Sequence, residues 1–324
     1  MSGSVDLPLT AQAGHGLDEQ TGAPPRVLVI AGPTASGKSA AAVSLAEEYG
    51  AEIVGADSRQ IYRYMEIGTA KPTAAERERV RHHLVDVACP DERWDAARWR
   101  AAAVAAITDI QARGRRVIVC GGTGLYLRSL ERGLFGGPSA DETLRARLEE
   151  QESQSLGVLH RRLHEVDAAS AARIHPNDQL RVIRALEVFE LTGRPLSEWH
   201  AEHALGERSF DILILEMVRD RLELADRIAI RSESMVREGI VAETQELRRR
   251  FGSDAPGLGA IGYREAGQVL DQDLAEADLP AAIAASTRAY AKRQRTWLRG
   301  QAQPARVQAD DKEKLRALAA QFYS

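Results

Sequence analysis

The chain has 324 residues, with 43 Lys and Arg against 47 Asp and Glu and a formal net charge of −4 at neutral pH. That length excludes a single small module and suits one large domain with an appendage, or two domains. The mild acidity gives no global reason for nucleic-acid binding, so a partner of that kind has to be met by a local basic patch. Only Cys89 and Cys120 occur, without metal-ligand or redox spacing, which argues against zinc and disulfides and suits a cytoplasmic setting. No run is apolar enough to span a bilayer, and no membrane partner is expected. Residues 1–25 lack the basic start and apolar centre of a signal peptide and read as a disordered tail.

Residues 26–31 read as a first strand, and the eight residues GPTASGKS, from Gly32 to Ser39, follow it. The spacing G-x-x-x-x-G-K-S lets Gly32 and Gly37 turn the backbone of Pro33, Thr34, Ala35 and Ser36 so that its N–H groups face inward. Lys38 adds a point charge, and Ser39 a hydroxyl suited to bound magnesium. Residues 40–49 carry helical periodicity that ends at Gly50, so a helix N-terminus adds partial positive charge to the loop. Such a loop grips a polyphosphate. Residues 51–56 form a second strand, and this order predicts an α/β fold of the P-loop NTPase type: a parallel sheet flanked by helices, with ligand at the carboxyl ends of the strands.

Asp57 stands at such an end and opens the run DSRQIYR. A carboxylate there can take a proton from an attacking nucleophile; it can equally cap a following helix. Of the residues that follow, Ser58, Arg59 and Gln60, the glutamine can bond both edges of an adenine, although singly Arg59 and Gln60 read as surface residues. A helix over 95–112 stops at Gly114, and residues 116–120 form a third strand running into Gly121-Gly122-Thr123-Gly124, a second glycine turn facing the same crevice. No acid follows that third strand, which weakens a motor or switch reading and favours a kinase-like site with its acid after strand two.

From 138 to 203 the sequence turns charged and helix-forming, which predicts an inserted all-helical subdomain; residues 26–137 and 204–300 then make the core. Residues 212–215 return to the sheet, and helices dominate from 221 to 297. The segment TRAYAKRQRTWLR, 287–299, has five basic side chains and no acid. Arg288, Lys292, Arg295 and Arg299 share one stripe, with Ile283, Tyr290 and Trp297 opposite. A solvated helix is normally mixed in sign; an acid-free stripe in an acidic chain suits a nucleic-acid backbone. Arg181 and Arg184 could extend that surface or simply solvate their helix. Residues 301–324 read as a C-terminal tail ending in a short helix, and a monomer is expected.

The ordered series GPTASGKS, DSRQIYR (57–63), GTAKP (68–72), HHLVD (82–86), GGTGLY (121–126), RIHPNDQLRVIRALEV (173–188), IGYRE (261–265) and TRAYAKRQRTWLR resembles the tRNA dimethylallyltransferases from about residue 27 to 299. The resemblance implies transfer of a dimethylallyl group from dimethylallyl diphosphate to the N6 amine of the adenosine immediately 3′ of the anticodon. The tRNAs concerned would read codons that begin with U, with Mg²⁺ as cofactor and the anticodon stem-loop as partner. It further implies Asp57 as the base, Thr34, Lys38 and Ser39 on the diphosphate, Arg221 assisting from the far side, and Thr123 at the reacting nucleotide.

By the same resemblance the RNA runs beside Asp57 to Gln60, along Leu180, Arg181, Val182, Ile183 and Arg184, and along 259–264, including Gly262, Tyr263 and Arg264. Arg145 and the stripe residues Arg288, Lys292 and Arg295 complete the expected tRNA surface. Trp94 and Trp99 stand where relatives tend to have Phe, which bears on the prenyl channel. The lack of a C-terminal zinc motif points to a bacterial-type enzyme. Three rivals remain at this point: a small-acceptor kinase of the shikimate kinase type, an adenylate isopentenyltransferase, and an RNA-binding regulator with a relic nucleotide site. The first leaves the helical insertion and the basic helix unexplained, the second has less need of that stripe, and a relic has no reason to keep Lys38, Ser39 and Asp57.

Overall fold

Five successive side chains of strand β1 (Arg26–Ala31) are buried, as a strand covered on both faces requires. The structure, a computed structural model, describes residues 24–134, 137–203, 209–301 and 304–324, so nearly all of the expected N-terminal tail lies outside the described residues. β1 is followed by α1 (Lys38–Tyr49), the wholly buried β2 (Ala51–Ala56), α2 (Ala74–Arg79), the two-residue β3 (His82–His83), α3 (Ala96–Ala112) and β4 (Arg116–Gly121). After β4 come α4 (Gly124–Arg132), α5 (Glu142–Gln154), α6 (Val158–Val166), α7 (Ala168–Arg173), α8 (Gln179–Thr192) and α9 (Leu196–His203). The sheet resumes with β5 (Asp211–Val218), then α10 (Arg221–Arg237), α11 (Ile240–Phe251), α12 (Tyr263–Leu270), α13 (Leu279–Arg299), β6 (Ala305–Gln308) and α14 (Lys312–Tyr323).

The six strands form one sheet in the order β3-β2-β4-β1-β5-β6, and every pairing is parallel. The strand expected third is thus β4, which lies between β2 and β1. Its register sets Cys120 beside Ile30 and Gly121 beside Ala56. The phosphate loop, Asp57 and the Gly121-Gly122 turn therefore leave neighbouring strands at the same edge. Gly121 is required there, because a Cβ would lie 2.1 Å from the Ala56 carbonyl oxygen.

The expected tail is corrected at its far end. Ala305–Gln308 pairs with β5, setting Ala305 beside Leu215, and Val307, Leu315 and Ala319 join the core formed by β1, β2, β5 and α1. With only Val307 of four residues buried, the strand carries too little alternation to be read from sequence.

The chain divides into two compact units, residues 1–131 with 209–324, and residues 132–208. The second unit has its own core of Leu148, Leu163, Ala185, Leu186 and Val188 and contains no strand among its described residues. Within it the fully buried Glu187 accepts from Arg145 Nε at 2.8 Å, from Arg184 at 2.5 Å, and from the Asp141 amide at 2.8 Å.

At the amino end of β2, Glu52 receives a two-pronged guanidinium from Arg113 and the Nε2 edge of His83 at 2.7 Å. The Arg113 hydrogen bonds outweigh partial burial and, with His83, hold the carboxyl at about 2 rather than 4.5. A depressed folded-state value contributes stability above the unfolded one, so this contribution is lost as pH falls from 4.5 towards about 2. Glu52→Gln should therefore lower the urea midpoint at neutral pH yet lose less on acidification to about pH 3 than the parent. Equal losses would mean that the pair contributes nothing.

Candidate active site at the carboxyl ends of β1, β2 and β4

The phosphate loop is shaped from both sides. Gly32 (φ 158°) has no room for a side chain, since a Cβ would sit 2.7 Å from Ser36 Oγ and 3.0 Å from Met217 O. Gly37 (φ 92°) begins α1 in the left-handed region, and the Ser36 amide closes the loop on Pro33 O at 3.2 Å. Three arginines hold its outer surface: Arg219 donates to Ser36 O at 3.4 Å, Arg227 to Ala35 O at 3.1 Å, and Arg231 to Thr34 Oγ1 at 3.3 Å. With the Ser36 carbonyl turned outward, the trans peptide turns the Gly37 N–H to the opposite, inner side. Ser36 Oγ is buried within the loop without a hydrogen-bond partner, and Ser36 does not line the cleft. The Lys38 ammonium lies over Pro33 O at 3.3 Å, and burial lowers its pKa against the attraction of Asp57.

Asp57 closes a turn rather than a helix: its Oδ1 accepts from the Arg59 amide at 2.9 Å, and no helix follows. That removes the capping alternative. The neighbouring turn locks to it, with the Thr123 amide on Ala56 O at 3.1 Å and Thr123 Oγ1 accepting from the Ser58 amide at 3.0 Å. Tyr290 lies beside Thr123, and burial raises the pKa of its hydroxyl. Opposite the phosphate loop, residues 66–71 are tied down by Gln60, which donates to Thr69 O and Ala70 O at 3.3 and 2.9 Å, and by Arg231, 3.5 Å from Gly68 O. Lys71, almost wholly buried, joins Glu66 at 2.9 Å to Asp86 at 2.5 Å.

These elements enclose a cleft of about 1250 Å³ that contains Thr34, Lys38, Ser39, Asp57, Arg59, Gln60, Arg231, Tyr290, Arg293 and Gln294. Lys71, Arg77 and Arg264 are matched by carboxylates, whereas Lys38, Arg59, Arg227, Arg231 and Arg293 form no carboxylate salt bridge among the described residues. The cleft lining thus carries eight cationic side chains against five carboxylates, of which Asp57 is the one at the glycine turns. It can hold an anion and accept a proton beside it.

The sequence model of the IPP transferases matches residues 60–301. The chain belongs to the IPP transferase family. It is 46% identical over 303 residues to a protein of Sorangium cellulosum called tRNA dimethylallyltransferase, covering 92% of this chain and 96% of that one. Its fold is similar to the crystal structure of a tRNA isopentenylpyrophosphate transferase from Bacillus halodurans, with 35% identity, a TM-score of 0.68, and 92% and 97% of the two chains covered. A eukaryotic dimethylallyltransferase described as acting on tRNA is similar at a TM-score of 0.77 and 28% identity, covering 92% of this chain and 77% of that one.

Within this IPP transferase chain, Thr34, Lys38, Ser39, Asp57, Ser58, Arg59, Gln60 and Arg264 line one cleft. Arg221 does not. It is the exposed first residue of α10, whereas Arg227 and Arg231, further along the same helix, reach the loop. The arginine of α10 that lines the cleft and reaches Thr34 is Arg231, and the signal for it was the arginine pair one turn apart flanking the buried Ile228.

The insertion residues also separate. Leu180 is exposed, and Arg181 is exposed beside Asp178 at 3.2 Å. Val182 and Ile183 are core residues of their unit, because five consecutive helical residues cannot all face one partner. Arg145 and Arg184 are held by Glu187. Tyr263 is likewise internal: its hydroxyl donates to Glu243 at 2.5 Å and accepts from the Gly68 amide, with Gly262 (φ 97°) turning the chain into α12. Trp99 is buried, donates to Gly55 O at 2.9 Å and stacks on Tyr126 at 4.6 Å, while Trp94 carries Arg98 over its ring; neither lines the cleft. Gln294 was not read from sequence at all.

Proposed function

We propose that the chain transfers a dimethylallyl group from dimethylallyl diphosphate to the N6 amine of the adenosine immediately 3′ of the anticodon, in tRNAs reading codons that begin with U. The observation that carries this reading is the presence of Asp57 in the same cleft as the phosphate loop, flanked by Lys38 and Arg231. An allylic diphosphate on the loop presents its C–O bond to the cleft. The amine attacks carbon, the C–N bond forms, the C–O bond breaks, and the diphosphate leaves towards Lys38, Arg231 and the loop amides, which stabilise its growing charge. Asp57 takes the amine proton, which matters because delocalisation into the ring makes that nitrogen a weak nucleophile.

The residues fit Mg²⁺. Ser39 lines the cleft on the first turn of α1, and no cluster of three or more His, Cys, Asp or Glu suited to a metal occurs among the described residues. A magnesium ion would thus be held by the Ser39 hydroxyl, substrate phosphates and water, as this ion commonly is. When bound it would supply positive charge to the leaving diphosphate.

A base in a folded loop must leave its stack to reach Asp57, at a cost of a few kcal/mol. The α13 stripe is suited to supply binding energy: Arg288, Lys292 and Arg299 are exposed and Arg295 half-buried. Arg288→Ala with Arg295→Ala should weaken tRNA binding and lower the salt slope by about 1 to 2. An unchanged slope would return the helix to ordinary solvation.

The reading itself is tested by incubating the protein with Mg²⁺, radiolabelled dimethylallyl diphosphate and unmodified tRNA, with AMP and ATP as parallel acceptors. Label in tRNA alone is expected. Label in AMP or ATP would make the chain a free-nucleotide isopentenyltransferase, and phosphate transfer from ATP without prenylation would make it a kinase. The absence of a membrane partner is proposed in the same spirit; among the described residues no helix is long and apolar enough to cross a membrane.

A further inference from the structure

Gln294 sits between Arg293 and Arg295 on α13, yet it is 5% exposed. Both ends of its amide are used. Oε1 accepts from the Thr34 amide at 2.9 Å, and Nε2 donates to Gly122 O at 2.9 Å. The opposite orientation would bring two donors together at Thr34 and two acceptors at Gly122, so the partners themselves fix which way the amide points. Gly122 has no room for a Cβ, which would lie 2.2 Å from Nε2 and 2.9 Å from Gly32 O.

The side chains on either side of Gln294 repeat the pattern. One turn earlier Tyr290 lies beside Thr123, and one turn later the Trp297 ring lies where a Cβ on Gly124 would come within 2.4 Å. One face of α13 thus meets Gly122, Thr123 and Gly124, and of Tyr290, Gln294 and Trp297 it is Gln294 that is hydrogen-bonded to the phosphate loop. Each of its partners leads to the chemistry. Thr34 carries Arg231 on its hydroxyl, and the residue after Gly122 fastens Ala56 and Ser58 on either side of Asp57.

We infer that Gln294 is a positioning residue for group transfer: it fixes the spacing between the diphosphate seat and the turn that bears Asp57. The inference rests on the prenyl-transfer reading of the cleft. Without the bridge, the allylic carbon and the base are held by separate loops, and a displacement near 1 Å can cost about 10²-fold in rate. The bridge carries no charge of its own, so it leaves the electrostatics of the leaving diphosphate to Lys38 and Arg231.

The test uses the full chain. Gln294→Met keeps length and volume and removes both bonds. Gln294→Met should lower kcat for tRNA prenylation about 10²-fold, raise the KM for dimethylallyl diphosphate severalfold, and leave tRNA affinity unchanged. Gly122→Ala should reproduce the kcat loss, and combining it with Gln294→Met should add little, since both break one link.

Unchanged kcat in Gln294→Met, or a loss matched by an equal loss of tRNA binding, would overturn the inference. Should the wild-type protein itself prenylate no tRNA, the functional reading fails first. Pyrophosphate binding with Mg²⁺ then still tests the Thr34 half: equal affinity of wild type and Gln294→Met would sink it.

Discussion

Asp57→Ala should lose about 10²- to 10⁴-fold of turnover while still binding pyrophosphate and tRNA. The carboxylate touches the Arg59 amide and no cation at salt-bridge distance, so its removal opens one turn without releasing a phosphate-binding group. Lys38 is affected indirectly. Asp57 raises the pKa of that ammonium against the burial that lowers it, so the variant holds its lysine charge less firmly and should bind pyrophosphate less well as pH rises. Asp57→Asn separates the turn from the chemistry, because its amide oxygen can still accept from Arg59 but can neither take a proton nor supply the charge that supports Lys38. Single-turnover transfer from a preformed ternary complex is the appropriate measurement. Wild-type-like turnover in either variant would remove Asp57 from the mechanism.

Arg231→Gln should cost about 10²- to 10³-fold in transfer and weaken pyrophosphate binding, whereas Arg221→Gln should stay within about twofold. Arg231 contacts Thr34 Oγ1 and Gly68 O from opposite walls of the cleft, and burial lowers its pKa while Asp57 opposes that shift. A cation held where water is scarce acts strongly on an anion that reaches it. Arg221 has no such setting. Comparable losses in both variants, measured as kcat/KM for dimethylallyl diphosphate, would show that the helix N-terminus takes part; no loss in either would leave the diphosphate to Lys38 and the loop.

What could be read from sequence was the part written in adjacent residues. The glycines of the phosphate loop, the strand before it and Asp57 after the next strand are local patterns with one physical meaning. β3 and β6 were missed because two and four residues carry no periodicity. Tyr263, Val182 and Ile183 were taken for surface because a motif gives no direction to its side chains; Tyr263 in fact serves Glu243 and Gly68. Gln294 was illegible for a different reason: its partners are 260 and 172 positions away, and nothing in the string KRQRTW says that one polar residue of the basic run turns inward. The arginines of the insertion show the converse, since the buried Glu187 that claims Arg145 and Arg184 sits in an otherwise apolar stretch.

The interruption of the nucleotide-type core by a contiguous helical unit also sets an order of events during synthesis. The helical unit has an apolar core of its own, so it can condense as soon as it emerges. The sheet core cannot. β1 pairs with β5 on one side, β5 is flanked by β6, and Tyr323 donates to Val117 O beneath the sheet. Strand β1 therefore waits for β5, holding an apolar row of Val27, Leu28, Val29 and Ile30 without its second neighbour until residues 211–218 have been made. Because Gln294 on α13 ties Thr34 to Gly122, the cleft between the two glycine turns takes its final form only after α13 has followed all but one of the strands.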